Sequence, residues 1–577
     1  MLSRLSRLIP DLSQTAARFP VPVLISLLLV VYANLDIARY VEEGWNADNP
    51  VYLAGASAFM AAGALHYFAL GRGIGAGLSF LLALIAAALV GTSSYFAGGL
   101  HVSWIFMFAG LLPALMIAGF LRPGAKQGAL WLFNLRLGLA ALLAVLVGVV
   151  FAAGLSAIVE SLNFLFEAGL PNELHGHIWA TAAALIAPIY GLSLAPRDLS
   201  EEVHIADQRD TLLERGISVL VNYVLVPMAL VYALILHAYA VKIVLDGNLP
   251  KNQIGLMVTI FALGGTGAWL IAWPWRETGS RLLRWFVQGW FWLTIVPAIL
   301  LVIAVWERIS AYGVTPERYG LVIVAIWLAM VTLYLAIRRN RADMRMLLGS
   351  FAVLVLIGAG GPWGANGLTI SDQFARLTKL LTENKMVGED QRLAETLPDI
   401  PNDTKSQIRS LLDTLNKVDG LDRLRPLFAG KSNDPFAKGE TGWNLTNALA
   451  DALNLNEYQT APTYVSFSAN RPISTAITGA GHLLGPIRAY TAGSVTTGDE
   501  ASATYDKTDL TIVWGARNWK IAIPTLMQKA ESGGITDGSP LRITVAPDAD
   551  MVLTELYGDK GDIPILRGAT FWLVVRE

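Results

Sequence analysis

The sequence predicts an α-helical polytopic membrane domain of about eleven transmembrane helices, followed by a C-terminal extracytoplasmic α+β domain. Three observations predict it. Hydrophobic residues make up 54% of the 577 and charged residues only 15%, with a mean hydropathy of +0.49, whereas a soluble domain carries roughly a quarter charged residues. Long apolar runs follow one another up to "LIGAGGPWGANGLTISDQ" (356–373), and ordinary soluble composition follows it. Charge divides nearby: from Leu368 onward 21 Lys and Arg face 26 Asp and Glu, a net of −5, and the remainder holds 22 against 19, a net of +3.

A bilayer-crossing helix needs about 20 mainly apolar residues. Runs that qualify lie near 20–38, 51–70, 74–96, 102–121, 128–156, 176–195, 215–244, 253–275, 286–306, 319–337 and 345–364. The third begins "GRGIGAG", where small residues permit close helix packing rather than phosphate binding. The first follows "MLSRLSRLIPDLSQTAARFP", which reads as an uncleaved anchor because the apolar run is long and lacks an A-x-A cleavage site at its end.

The charges between the runs set the orientation. One alternate set of segments holds Arg4, Arg7, Arg18, Arg72, Arg122, Lys126, Arg197, Arg209, Arg215, Arg276, Arg281, Arg284, Arg338, Arg339, Arg341 and Arg345. The other holds only Arg39, Lys242, Lys251, Arg308 and Arg318. Cytoplasmic loops carry the excess of Lys and Arg, so the N-terminus is expected in the cytoplasm of a bacterial inner membrane. Eleven crossings then put the tail outside, in the periplasm. Tryptophans agree: Trp45, Trp104, Trp179, Trp306 and Trp363 fall near expected outer boundaries, and Trp131, Trp273, Trp275 and Trp285 near inner ones. Trp363, in the Gly-Pro-Trp that stops the last apolar run, is expected in the headgroups. The domains expected are 1–366 for the membrane part and 367–577 for the periplasmic part.

In the tail, "ISDQFARLTKLLTENKM" (370–386), "SQIRSLLDTLNKV" (406–418) and "LTNALADALN" (445–454, with Asn444 as its cap) have helical spacing. "DLTIVWG", "KIAIP", "LRITVAP", "MVLTELYG" and "ATFWLVV" are short, β-branched and bounded by Gly, Pro or Asp, as strands are. Helices first and strands afterwards suggest α+β. Cysteine is absent, which removes disulfides, thiolate catalysis and Cys-ligated metals together. No long basic run points to nucleic acid, and no G-x-S-x-G, H-E-x-x-H or complete G-x-x-x-x-G-K-[ST] phosphate loop occurs in the tail.

Four stretches carry a family resemblance: "LILHAYAVKIVLDGNLP" (234–250), "YGVTPERYGLVIVAIWLAMVTLYLAIRR" (312–339), "GGPWGANGLTISDQFARLTKLL" (360–381) and "DGLDRLRPLF" (419–428). From about Arg215 to the end, the chain resembles a bacterial family of polytopic inner-membrane proteins catalogued as a domain of unknown function. The resemblance implies a many-helix membrane domain followed by a soluble one, and carries over no catalytic residues.

Candidates for chemistry come from the residues themselves. The loop "PNELHGHIW" offers Glu173, His175 and His177 within five positions. With His101 or His237 these would supply the three ligands that a catalytic zinc needs, against the plainer reading of a wet loop and a helix end. No cofactor is otherwise called for. His482, in "GAGHLLG", is expected in a loop, and His66 at an interface. Arg136 and Asn134, in "LFNLRLGLA", lie about ten residues into the fifth run. An arginine there costs about 2.5–3.5 kcal/mol on insertion scales, so it either pairs with a carboxylate or a lipid phosphate or snorkels to the interface. Asp36, Glu42, Glu43 and Asp48, with Glu160 and Glu167 after the fifth run, form an outer carboxylate set that is also what the charge rule leaves by default. Pro113, Pro188, Pro227, Pro274 and Pro297 could break helices and "ALGGTGAW" (262–269) could unwind one, without a repeat in two halves.

The expected role is non-enzymatic binding, scaffolding or sensing: the tail recognises an envelope protein or other envelope component, and the bilayer holds the rest. The competing classes are an enzyme acting on lipid-linked envelope substrates at the outer face and a transporter with a polar site at Arg136.

Overall fold

The computed structural model describes residues 12–39, 49–97, 101–201, 212–246, 254–388, 392–394, 396–429, 434–437, 439, 441–455, 464–468, 481–489, 501–506, 508–533, 540–559 and 565–576. The chain divides into two compact units, Met1–Leu449 and Ala450–Glu577. Composition alone puts a break at 366/367, whereas the helices that follow the last apolar one group with the first unit.

The first unit is helical. It runs α1 (Leu12–Arg18), α2 (Pro20–Arg39), α3 (Pro50–Arg72), α4 (Ala76–Phe96), α5 (His101–Ala118) and α6 (Gln127–Phe166). Then come α7 (Glu173–Leu194) and α8 (Arg215–Leu245), α9 (Ile254–Ala272), α10 (Arg281–Tyr312), α11 (Pro316–Arg338) and α12 (Met344–Gly358). Among the described residues nine of these, α2–α4 and α6–α11, are long and apolar enough to cross a membrane, and α5 and α12 are shorter apolar helices. Each falls on one of the eleven runs. The faces of these helices that pack on no neighbour are apolar too: Leu142, Val145, Leu146, Val149 and Val150 on α6 are all exposed. In water such a stripe would be an association site; in lipid it is the solvated face. The protein is a multi-pass membrane protein.

Contacts between the helices rest on small residues and on polar groups that reach across. A Cβ on Gly91 of α4 would lie 3.2 Å from that of Ala58 on α3. Ser57 and Ser94 share a 2.7 Å hydrogen bond, as do Thr294 and Thr332. The indole N–H of Trp269 donates to Val287 O and that of Trp327 to Leu347 O. In an apolar slab these are the bonds available to polar groups, each contributing about 0.6 kcal/mol on average. "ALGGTGAW" does not unwind: α9 is continuous, and the missing side chain of Gly265 makes room for the Trp290 ring, which fills the place a Cβ would take. α7 and α8 each contain a π turn, Ala182–Ile186 and Val221–Leu225, two residues ahead of Pro188 and Pro227. A proline has no N–H for the ordinary ladder, and the widened turn absorbs the defect.

α6 differs from expectation in length. It has 40 residues, about 60 Å at 1.5 Å per residue, twice the hydrocarbon thickness of about 30 Å. Glu160 therefore lies on the helix and not after it, and Glu167 closes it with a positive φ of 51°. Nothing in "AIVESLNFLF" breaks a helix, so the run continues past the point where bilayer thickness alone would end it. Glu42, Glu43, Trp45 and Asp48 lie outside the described residues.

After a turn at 359–364, α13 (Ala365–Glu383), α14 (Asn402–Lys417), α15 (Arg425–Phe428) and α16 (Gly442–Ala452) follow. Asn444 is inside α16 rather than its cap, because the helix starts two residues earlier. The "DGLDRLRPLF" stretch buries Leu421, Leu424, Leu427 and Phe428.

The second unit holds β1 (Tyr464–Ser468), β2 (Gly481–Ala489), β3 (Ala501–Tyr505), β4 (Asp509–Trp514), β5 (Arg517–Ala522), α17 (Ile523–Gly533), β6 (Leu541–Ala546), β7 (Ala549–Asp559) and β8 (Ile565–Arg576). One sheet has the order β1-β7-β8-β2, with β6 also on β7, and a second is β3-β4-β5. All described pairings are antiparallel. The core gathers Leu510, Ile512, Met551, Leu553, Phe571 and Leu573 from the strands. Ile523, Leu526, Met527 and Ala530, at helical spacing, bury the inner face of α17.

All five expected strands are present. His482, expected in a loop, is instead in β2, opposite Val575 of β8. Gly481, Gly485 and Pro486 hide the strand from its own sequence. Pairing with β8 makes it, with a bulge between Leu484 and Ile487 that takes up the irregularity.

Asp550 of β7 is 1% exposed and accepts from Arg542 Nη2 at 2.7 Å and from Arg576 Nη2. Burial works to raise its pKa, but the hydrogen bonds from Arg542 and Thr544 and the two guanidinium charges outweigh it, and the carboxyl is held below the ordinary value. A depressed native pKa contributes stability that is fully present above the unfolded value of about 3.9 and is lost as pH falls through the native one. Asp550→Asn is expected to remove that acid-dependent component and to destabilise the sheet at neutral pH by on the order of 1–3 kcal/mol. Hydrogen exchange of β6–β8 amides in the full-length protein, compared at pH 7 and below 4, checks both.

Candidate functional site

The polar chemistry of the first unit collects at helix ends, in three places. The first joins α2, α3, α6 and α7. Asn34 on α2 donates through Nδ2 to Val30 O (2.8 Å) and Thr181 Oγ1 (3.4 Å), which leaves its Oδ1 to accept from His177 Nδ1 at 2.7 Å. The proton of a neutral His177 is thereby assigned to Nδ1, and Nε2 keeps a lone pair that can accept a proton or a ligand. On the same turn of α7, His175 Nε2 lies 2.9 Å from Glu160 Oε1 on α6. Asp36 accepts from the Tyr52 hydroxyl at 2.7 Å and, at 3.5 Å, from Asn49 Nδ2, whose Oδ1 caps α3 at Val51 N.

The rest of the expected metal set does not join them. Glu173 occupies the first turn of α7, where a carboxylate suits the helix dipole. His237 bonds back to Ala233 O on its own helix. His101 heads α5, but its side chain lies outside the described ones. Among the described residues no three His, Asp or Glu side chains gather so as to hold a metal ion.

The second place is Arg136. Its two Nη atoms each meet an oxygen of Glu201 at 2.5 Å, and the side chains are 43% and 48% exposed. The hydrogen bonds from Arg136 hold the Glu201 carboxyl below its usual pKa. The partner is thus a carboxylate in the segment beyond α7. The length of α6 leaves room for a 20-residue crossing that excludes Arg136. Asn134 donates to Leu130 O, and its buried Oδ1 has no partner among the described residues.

The third place is a clamp. The turn between α10 and α11 passes through Gly313, φ 78° and ψ −178°, a conformation essentially reserved for glycine. Asp372, Gln373 and Arg376 of α13 close over it. Asp372 Oδ2 accepts from Val314 N (2.7 Å) and Arg376 Nε (3.0 Å), Gln373 Nε2 donates to Val314 O (2.7 Å), and Arg376 Nη2 donates to Ile309 O (3.0 Å). A Cβ on Gly313 would collide with Asp372 Oδ2 and stand 2.6 Å from Arg376 Nε. Nearby, the Tyr319 hydroxyl donates to Trp363 O, and Asn366 Nδ2 to Ser103 Oγ. Two of the four stretches that carry the family resemblance, 312–339 and 360–381, therefore meet at one turn.

Comparison with known proteins gives the clamp and the helix array a context. Residues 54–365 match the family described as "Domain of unknown function (DUF4153)". The chain belongs to that family. The matched region begins in α3 and ends at the first residue of α13, so it takes in helices before Arg215 and the Gly313 turn, but not the clamp residues. A relative, "Uncharacterized protein PM1469" of Pasteurella multocida (strain Pm70), is 27% identical over 344 residues, which are 57% of this chain and 54% of that protein. The match thus spans about half the length of that curated relative. No solved structure matches the chain.

Sequence reasoning missed Asn34, Glu201 and the clamp trio as site residues. Asp372 and Arg376 at i, i+4 were the visible signal; the long-range partners of Asn34 and Glu201 leave none.

Gly313→Ala is expected to cost at least about 1–3 kcal/mol from backbone strain alone and to loosen α13, read as faster hydrogen exchange at residues 365–383. Glu201→Gln, which breaks an exposed pair, is expected to shift stability by no more than about 1 kcal/mol, read as a small change in the unfolding midpoint in detergent. A large loss there would mean that the pair is shielded from water.

Proposed function

We propose that the chain is a bacterial inner-membrane protein of eleven crossings that carries its α+β unit in the periplasm, as a recognition module for an envelope protein or lipid-linked component. The observation that supports it most is the clamp. The chain leaves the apolar helices through α13, which is fixed to the α10–α11 turn by both side chains and main chain. The clamp lies wholly within the first unit, so what it supports is a fixed exit of the chain from the helix array. The sixteen-to-five distribution of basic residues between alternate segments supports assigning that end to the outer face.

The test has two parts. Fusions at Glu577 are expected to give active alkaline phosphatase and dark cytoplasmic fluorescent protein; bright fluorescence would sink the outward assignment. A photo-crosslinking amino acid at Leu483 or Val513, both exposed on the sheet unit, is expected to capture a discrete adduct in intact cells. Absence of any adduct from a scan of that unit's exposed positions would count against recognition.

A further inference from the structure

Two of the five basic residues in the sparsely charged segments, Arg308 and Arg318, stand on either side of one turn. They flank the Gly313 turn, at the end of α10 and the start of α11, and both Arg308 and Arg376 press like charge on Arg318. Like charges at one turn repel one another, so their presence there calls for a counter-charge.

The protein does not supply it in full. Arg376 is committed to Asp372, Ile309 O and Ser310 O. Asp372 is committed to Arg376 and Val314 N. Arg318 donates one N–H to Gly313 O at 2.7 Å and lies 5.6 Å from the centre of the Tyr312 ring. Its remaining N–H groups meet no acceptor among the described residues. Arg308, only partly exposed, has no hydrogen-bond or ion-pair partner among them. Glu317 attracts Arg318 electrostatically, but neither it nor Glu307 comes within ion-pair distance of these guanidiniums; both are exposed. The surroundings fix the depth. Trp306, Tyr312 and Trp363 are 74%, 64% and 74% exposed at this end of the array. Exposed Trp and Tyr at helix ends belong at the level of lipid headgroups. A guanidinium with free N–H groups at that level matches phosphate oxygens in geometry and charge.

We propose that Arg308 and Arg318 form a binding site for a phosphate group at the end of the α10–α11 hairpin, and that a membrane phospholipid supplies it. The site goes beyond the recognition role and stands whichever side of the membrane this end faces. The lipid phosphate neutralises the arginines and seats the clamped turn at a fixed depth.

The experiment uses the full-length protein in nanodiscs containing phosphatidylglycerol and phosphatidylethanolamine, released into native mass spectrometry, with Arg308→Gln and Arg308→Lys beside the wild type. Arg308 holds no protein group among the described residues, so in phospholipid-free detergent without phosphate both variants are expected to unfold at the wild-type temperature. Retained phospholipid is expected to fall about fivefold in Arg308→Gln and to fall less in Arg308→Lys, which keeps the charge without the fork. Equal retention by all three proteins would overturn the site. Thermal stabilisation by inorganic phosphate in wild type but not in Arg308→Gln, with lipid retention unchanged, would overturn the lipid as its source.

Discussion

An apolar slab about 30 Å thick contains no water to solvate a peptide group, and every feature of the first unit is arranged around that lack. Helices satisfy the backbone internally, so the outward faces of α2, α4, α6, α8 and α10 can be as apolar as the lipid. Specific packing then has to come from shape and from the few polar groups that meet across helices. Gly265 under Trp290, Gly91 against Ala58 and the Thr294–Thr332 bond are instances. The same lack pushes groups that cannot be satisfied within the slab to its rims. There the protein concentrates its polar and charged groups: Arg136 with Glu201, His175 near Glu160, and the three arginines around Gly313.

At one rim, the end of α6 meets the end of α12. Gln127 donates to Asp343 Oδ1 and accepts from Met344 N, while Arg345 pairs with Asp343 and donates to Phe120 O and Arg122 O. Burial opposes ionisation of Asp343, yet the bonds from Arg345 and Gln127 prevail and hold its pKa below the ordinary value. At the Gly313 turn the design differs, because the partner is α13, which lies beyond the apolar helices in the chain. A glycine in the one conformation that exposes both N–H and C=O of the next residue lets Asp372 and Gln373 bond Val314 on both sides. The first arrangement ties apolar helices to one another, and the second ties them to the first helix beyond the apolar array.

How much of this the sequence carried depends on whether a signal was local. Eleven apolar runs and five strands were legible because length, hydropathy and alternation are properties of contiguous residues. The far end of α6 was not, since bilayer thickness suggests where a span ends and says nothing of where a helix does. β2 was hidden because its strand character comes from β8 and not from "GHLLGPIRA" itself. The sites divide in the same way. His175, His177 and Arg136 could be singled out by type and position, but their partners Glu160, Asn34 and Glu201 lie 15 to 143 residues away in sequence. Nothing in the periodicity of one helix says which neighbour its end will meet.

That distinction bears on why the family match and the resemblance begin and end in different places. The matched region closes at residue 365, the point at which the apolar array ends, and so it contains the Gly313 turn without the side chains that grip it. A glycine at φ 78° is demanding in isolation, since it gives up chain entropy and buries no side chain. It becomes favourable only with Asp372, Gln373 and Arg376 in place, each using a main-chain group of the turn. Turn and clamp are thus one energetic unit split across a compositional border, with Val314 and Asp372 58 positions apart. A helix array that ended at residue 365 would leave the Val314 N–H and C=O without these partners. α13 is therefore part of what closes the helix array, and the border seen in composition is not a border in energy.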